Sequence, residues 1–252
     1  MRESISVCMA TFNGEKYIKE QIESIILQLH DEDEIIIVDD ASTDRTHEVI
    51  SSISDSRISL SINEMNLGVV KNFERAIRLS NKKYIFLADQ DDIWPPNRLD
   101  QMLQEMDSKN SYLVSGNIRH FNEKMMPLYV PLIQTRIPSL NSNDSRKTWK
   151  NVMRILGGKA NYFGCAMCLN IDIKKYILPF PQCVESHDLW IALAANLIKK
   201  NSHLEGMVVD RRVHGNNYSV TKRSFISKVK SRLFFLLQIL ILYHRIMRVK
   251  SG

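Results

Sequence analysis

The sequence predicts an α/β fold, a mainly parallel sheet with helices on its faces. Through the first hundred residues, short β-branched or apolar runs alternate with segments whose apolar residues recur at helical spacing. The two most acidic segments each follow directly on such a run. Open parallel sheets bind their ligands there, beyond the carboxyl ends of the strands.

Ile5 to Met9 reads as a buried strand and Asn13-Gly14 as a turn into a helix marked by Tyr17, Ile18, Gln21, Ile22, Ile25, Ile26 and Leu29. Glu34 to Val38 is a second strand, and Ser42-Thr43-Asp44 supplies cap residues for a helix through about Ile53. Ile58 to Ile62 is a third strand, Val69 to Ser80 a third helix, and Tyr84 to Ala88 a fourth strand. A helix follows from Pro95-Pro96 through Met106, then a strand from Tyr112 to Phe121. Residues 123–160, with Pro127, Pro131, Pro138 and a Ser/Asn-rich stretch, predict loops and short helices around a substrate.

The 252 residues suit one large domain with a full core. Lysines and arginines number 34 against 28 acids, but eight of these cations lie between Lys222 and Lys250, where no acid occurs. Without them the balance is 26 against 28, so a nucleic-acid-binding surface on the main body is not indicated. Met1 to Ser4 runs straight into the first strand with no apolar leader, which predicts a cytoplasmic protein. Cys165 and Cys168 form a single C-x-x-C. With no second pair it reads as buried reduced thiols, like Cys8 and Cys183.

The acidic segments are Val38-Asp39-Asp40-Ala41-Ser42-Thr43-Asp44 and Ala88-Asp89-Gln90-Asp91-Asp92-Ile93-Trp94. Crowded carboxylates repel unless a cation or hydrogen-bond donors compensate them. Three within four residues suggest Mg²⁺ or Mn²⁺, hard ions that take carboxylate oxygens together with substrate phosphates. The bland alternative is a solvated turn with helix-capping aspartates.

Taken with Ser6 to Asn13 and Asn66-Leu67-Gly68, these segments stand in an order and spacing that resembles family 2 glycosyltransferases. The likeness covers roughly residues 4–220, and Ala88 to Trp94 is most similar to the rhamnosyltransferase-like branch, which builds bacterial surface polysaccharides. The resemblance implies a GT-A fold, an inverting mechanism and a nucleoside-diphosphate sugar donor, dTDP-rhamnose or a UDP-sugar. It divides residues 1–220 into a donor-binding half, 1–115, and an acceptor-binding half, 116–220. Thr11, Asn13, Asp40, Asn66, Gly68 and Asp89 would then line the nucleotide-sugar site. Asp89 to Asp92 match the D-x-D region, with Asp91, Asp92 and His214 as ligands of the Mg²⁺ or Mn²⁺.

Inversion needs a base to take the acceptor's proton, and a carboxylate suits it. Glu185-Ser186-His187-Asp188-Leu189-Trp190 matches the family's segment and makes Asp188 the base, with His187 in place of the usual first acid. The competing role for Asp188 is a helix N-cap. Asn161 to Met167 resembles a glycine-containing segment near the acceptor, where Gly164 would allow close backbone approach. Arg211 to Ser219 follows a strand-like Met207-Val208-Val209 and carries His214. Processive members carry Gln-x-x-Arg-Trp and long membrane spans; neither occurs here, which predicts transfer of one sugar per encounter.

Residues 221–252 read as a basic helical tail whose apolar centre, Leu233 to Tyr243, is too short to span a bilayer. Ser231, Gln238 and Arg245 form a polar stripe at seven-residue spacing. Contact through 225–249 with an anionic membrane, where a glycan or polyprenyl-linked acceptor would be presented, is one reading. Packing on the domain or on a second copy of the chain is the other. Two rival functions stay open: a nucleotidyltransferase, although its Gly-rich basic loop is missing after the first strand, and an inactive membrane-bound scaffold.

Overall fold

The computed structural model describes residues 2–122, 126–127, 139–214 and 225–251. Seven strands form one sheet: β1 (Ile5–Thr11), β2 (Glu34–Asp39), β3 (Ile58–Ile62), β4 (Tyr84–Ala88), β5 (Leu113–Asn122), β6 (Met167–Asn170) and β7 (Asn201–Val213). Their spatial order is β3-β2-β1-β4-β6-β5-β7. β3, β2, β1 and β4 run parallel, as do β5 and β7, while β6 is antiparallel to both of its neighbours.

The helices are α1 (Ile18–Ile26), α2 (Thr46–Ser51), α3 (Val69–Leu79), α4 (Arg98–Lys109), α5 (Thr148–Leu156), α6 (Lys174–Ile177), α7 (His187–Leu197) and α8 (Phe225–Ser251). They cover both faces of the sheet. One face packs Cys8, Ile36, Val38, Ile85 and Leu87 against Phe73 and Ile77 of α3, Trp190 of α7 and Phe235 and Leu242 of α8. The other packs Val7, Met9, Ile35, Ile37 and Phe86 against Ile22 of α1 and Leu99 and Met102 of α4. Strands buried on both sides carry continuous apolar runs rather than alternation, which is how β2 and β4 read.

The expected elements from Ile5 to Phe121 are present, with shifted ends. The helix anticipated from Pro95 begins at Arg98, because Asn97 takes a left-handed backbone with φ 63° and the residue before a proline avoids helical geometry. The strand foreseen at Met207–Val209 extends over Asn201–Val213. β6 and α6 are additional, whereas α5 is one of the short helices expected in 123–160; 123–125 and 128–138, with Pro131 and Pro138, lie outside the described residues. All four cysteines are free and buried, as expected.

Arg98 joins the sheet's two halves beneath the Asp89-Gln90-Asp91-Asp92 loop. Its guanidinium is buried and donates to the carbonyls of Cys165 at 2.6 Å, Val208 at 3.1 Å and Leu87 at 3.4 Å, with Trp94 4.0 Å beneath it. Burial pulls its pKa down to about 10, so it stays charged at neutral pH. Arg98→Met takes a donor from three carbonyls and removes a cation beside Asp89 and Asp92. We expect a loss of about 3–5 kcal/mol in urea unfolding; a loss within the error of the measurement would contradict this role.

Candidate active site

The carboxyl ends of β1, β2 and β4 build the donor side. Gln90 ties β4 to β1, accepting from the Thr11 hydroxyl at 2.5 Å and the Phe12 amide at 2.9 Å and donating to the Phe12 carbonyl at 3.1 Å. Asn13, at φ 49°, accepts from the Thr43 amide and donates its own amide to the Ser42 hydroxyl, both at 2.8 Å. Asp39 is buried and receives Ser42 and His47.

Asp40 is buried, and its carboxylate accepts from the amides of Leu67 at 2.7 Å and Gly68 at 2.8 Å and from Asn63 Nδ2 at 2.9 Å. Its oxygens therefore hold the Asn66-Leu67-Gly68 loop. Gly68 sits at φ 85° ahead of α3, a backbone that favours glycine. Asn66 is exposed at the tip, with its amide 3.4 Å from the Asp40 carbonyl.

The acidic loop after β4 is pinned against β7 by paired hydrogen bonds between Ile93 and Asp210, at 2.9 and 3.0 Å. That bridge brings Arg211, Arg212 and His214 to the acids. His214 Nε2 lies 2.7 Å from Asp91 Oδ2, Arg212 donates its amide to Asp92 Oδ1 at 3.3 Å, and its guanidinium reaches the Asp91 carbonyl and Glu20. The Tyr17 ring packs on both His214 and Arg212.

Asp89, Asp92 and Cys165 place ligand atoms within 4.8 Å of one another. Burial first, then Asp91, with Asp188 adding and Arg211 opposing, pushes the Asp89 carboxyl up to about 6. Burial, then Asp89 and Asp91, raises Asp92 well above the ordinary carboxylate range. Arg211 is lowered by burial but raised on balance by the charge of Asp89, Asp92 and Asp91. Asp92 Oδ2 is buried without a hydrogen-bond partner. An orphaned carboxylate oxygen facing a second carboxylate fits a hard divalent ion. The Cys165 thiol, driven well up by burial and by Asp92 and Asp89, stays protonated and is a poor ligand for such an ion.

Asp188 comes from α7, in the second half of the chain. It is the second residue of α7, after Ser186 at the N-cap, so it is not the cap. Its Oδ1 accepts from the Ser186 hydroxyl and from the Leu189 amide at 2.7 Å. It stands near enough to Asp89 to raise that group's proton affinity. The buried His187 beside it stacks on Phe73 at 4.0 Å, and its Nε2 lies where a methyl on Gly164 would sit, at 2.3 Å. Gly164 thus lets the chain pass close to the α7 N-terminus, the close approach expected of it.

The structure brings Asp89, Asp91, Asp92, His214 and Asp188 into one neighbourhood, with Thr11 and Asn13 on the adjoining strand ends. Sequence reasoning gave no role to Gln90, Arg98 or Arg211. Gln90 stood inside the acidic motif, but its partner on β1 depends on sheet order. Gly215 to Ser219, read with His214 as one segment, lie outside the described residues.

Residues 6–165 match the family model described as glycosyl transferase family 2. The chain belongs to that family. Among family 2 relatives, a UDP-Glc:alpha-D-GlcNAc-diphosphoundecaprenol beta-1,3-glucosyltransferase of Escherichia coli is 31% identical over 47% of this chain and 47% of its own length. A dTDP-rhamnosyl transferase of Shigella flexneri is 37% identical over 44% of this chain and 40% of its own. The chain spans less than half the length of these relatives. The fold matches that of a Pyrobaculum calidifontis mannosyltransferase in complex with GDP-Man and Mn²⁺, with a TM-score of 0.62 at 15% identity, covering 100% of this chain and 76% of that one. The sheet and its flanking helices are those of the GT-A fold.

Proposed function

We propose that the chain is an inverting, metal-dependent glycosyltransferase. It moves one sugar from a nucleoside diphosphate, dTDP-rhamnose or a UDP-sugar, to a glycan or polyprenyl-linked acceptor in bacterial surface polysaccharide synthesis. The observation that carries this reading is the cluster of Asp89, Asp91 and Asp92 after β4, with Asp188 of α7 standing close enough for its charge to act on Asp89.

On the donor side, Thr11 and Asn13 face the nucleoside together with the Asn66–Gly68 loop, which Asp40 orders. Asp89, Asp91 and Asp92 would hold Mg²⁺ or Mn²⁺, with His214 hydrogen-bonded to Asp91 or joining the ligands. When bound, the ion supplies Lewis-acid stabilisation of the charge that grows on the leaving nucleotide. Arg211 adds a fixed positive charge beside the diphosphate. Asp188 takes the acceptor hydroxyl's proton as the sugar is transferred, and its bond from the Leu189 amide orients the carboxylate. Among the described residues no helix is long and apolar enough to cross a membrane. In this reading a polyprenyl-linked acceptor is met at the inner face of the cell membrane.

Thermal-shift binding over a panel of nucleotide sugars, with and without Mn²⁺, tests the reading. It predicts a metal-dependent rise in melting temperature for at least one donor; no response to any of them would instead favour the inactive scaffold.

The ion's hold should depend on pH in a defined direction. Asp89 titrates in the folded protein at about 6, above its ordinary value, and Asp92 is raised as well. Their contribution to metal-free stability is complete below the unfolded value and is lost as pH rises through the folded one. Protons compete with the ion over the same range. The Mn²⁺-induced rise in melting temperature should therefore grow from about pH 5 to about pH 8; a rise that shrinks with pH would exclude these carboxylates as the ligands.

A further inference from the structure

α8 is apolar on two sides: Phe235 and Leu242 pack into the core beside a polar stripe that also faces the protein, and a second set of apolar residues faces outward. Ser231 and Gln238 are buried. The Ser231 hydroxyl donates to the Glu185 carboxylate and Gln238 Nε2 to the Cys183 carbonyl at 2.8 Å. Arg245 donates to the carbonyls of Tyr176 at 2.9 Å and Pro179 at 2.7 Å. Outside, Leu233, Leu236, Leu237, Leu240, Tyr243 and Met247 are 45–68% exposed.

On a helix of 3.6 residues per turn these six fall within an arc of about 120°, with Arg232 and Lys250 along one edge and Lys230 and Arg248 along the other. Exposed apolar side chains also stand on α5. Trp149 and Met153 of α5, one turn apart, are 73% and 62% exposed, and Lys147, Lys150 and Arg154 gather around the single carboxylate of Asp144. Just past α5, Gly158 lies against the Arg232 guanidinium.

We propose that this outward face of α8 seats in the surface of an anionic lipid leaflet. Residues 225–251 contain no acid. A second copy packed on the face would set like charges against like along both edges, whereas anionic headgroups supply the missing countercharge. Leucines enter the acyl boundary while the bordering lysines and arginines extend to the headgroups. The inward stripe holds 176–185, the segment that leads into Asp188, so seating also sets the height of the base above the bilayer. The proposal deepens the membrane-presented acceptor and rests on that reading for its purpose, but its test reads lipid binding and not transfer.

Flotation of the full chain with phosphatidylcholine vesicles, with and without phosphatidylglycerol, provides the test. The protein should float with the anionic vesicles only. Leu236→Glu/Leu240→Glu should lower the bound fraction at least about tenfold at unchanged melting temperature. Lys230→Gln/Arg248→Gln/Lys250→Gln should weaken binding too, while Leu27→Glu, on an exposed leucine just past α1, should bind as the parent does. Failure to float, equal flotation with both vesicle types, or a dimer by light scattering that the leucine variant converts to monomer would each overturn the proposal, the last by giving the face to a second copy.

Discussion

Asp188→Asn should abolish transfer and leave the donor bound. The substitution keeps a carbonyl oxygen where Oδ1 accepts from the Leu189 amide and the Ser186 hydroxyl, so the first turn of α7 retains its local bonds. What it removes is the ability to accept a proton. Loss of a positioned general base lowers turnover by a factor on the order of 10²–10⁴. The donor's affinity should change little, because the groups assigned to the nucleotide sit on β1, β2 and β4. Single-turnover kinetics beside donor titration separates the two effects. Unchanged transfer removes Asp188 from the mechanism, and loss of donor binding would make it a donor ligand instead.

Asp92→Asn should have effects of opposite sign with and without the ion. In wild-type protein Oδ1 receives the Arg212 amide while Oδ2 is buried without a partner, and the group's proton affinity is raised by burial and by its acidic neighbours. The amide keeps the acceptor and relieves the repulsion. The metal-free variant should be at least as stable as the parent at neutral pH, yet lose the Mn²⁺-induced rise in melting temperature and on the order of 10²-fold or more in transfer. A variant that is destabilised without metal, but still responds to Mn²⁺, would give Asp92 a structural role only.

Much of the fold was legible because β2 and β4 are apolar on both faces and end in unmistakable acidic turns. β6 was not, since Met167-Cys168-Leu169 is too short for a period and its place between β4 and β5 comes from a long-range antiparallel insertion. Chain order marked Asp89, Asp91, Asp92 and Asp188 as chemistry, but not which atoms meet. The pairing of His214 with Asp91 follows from the Ile93–Asp210 bridge, and that bridge depends on sheet register.

Asp40 shows the same limit. The residue is recognisable at the end of a strand, yet the loop its carboxylate holds lies well downstream. In the tail, seven-residue spacing revealed the stripe of Ser231, Gln238 and Arg245 but not that it faces inward, because periodicity defines a helical face and not its neighbour. Arg98 gave no signal, since a single arginine after two prolines resembles many surface cations.

The most direct measurement of the central claim is an anomalous difference map from crystals grown with Mn²⁺ and a nucleoside diphosphate. The account predicts one strong peak at the Asp89-to-Asp92 loop, within coordination distance of Asp92 Oδ2. The diphosphate should lie between it and Arg211, with Asp188 across the sugar position from the leaving group. A manganese peak elsewhere, or a nucleotide bound away from the ends of β1, β2 and β4, would contradict it.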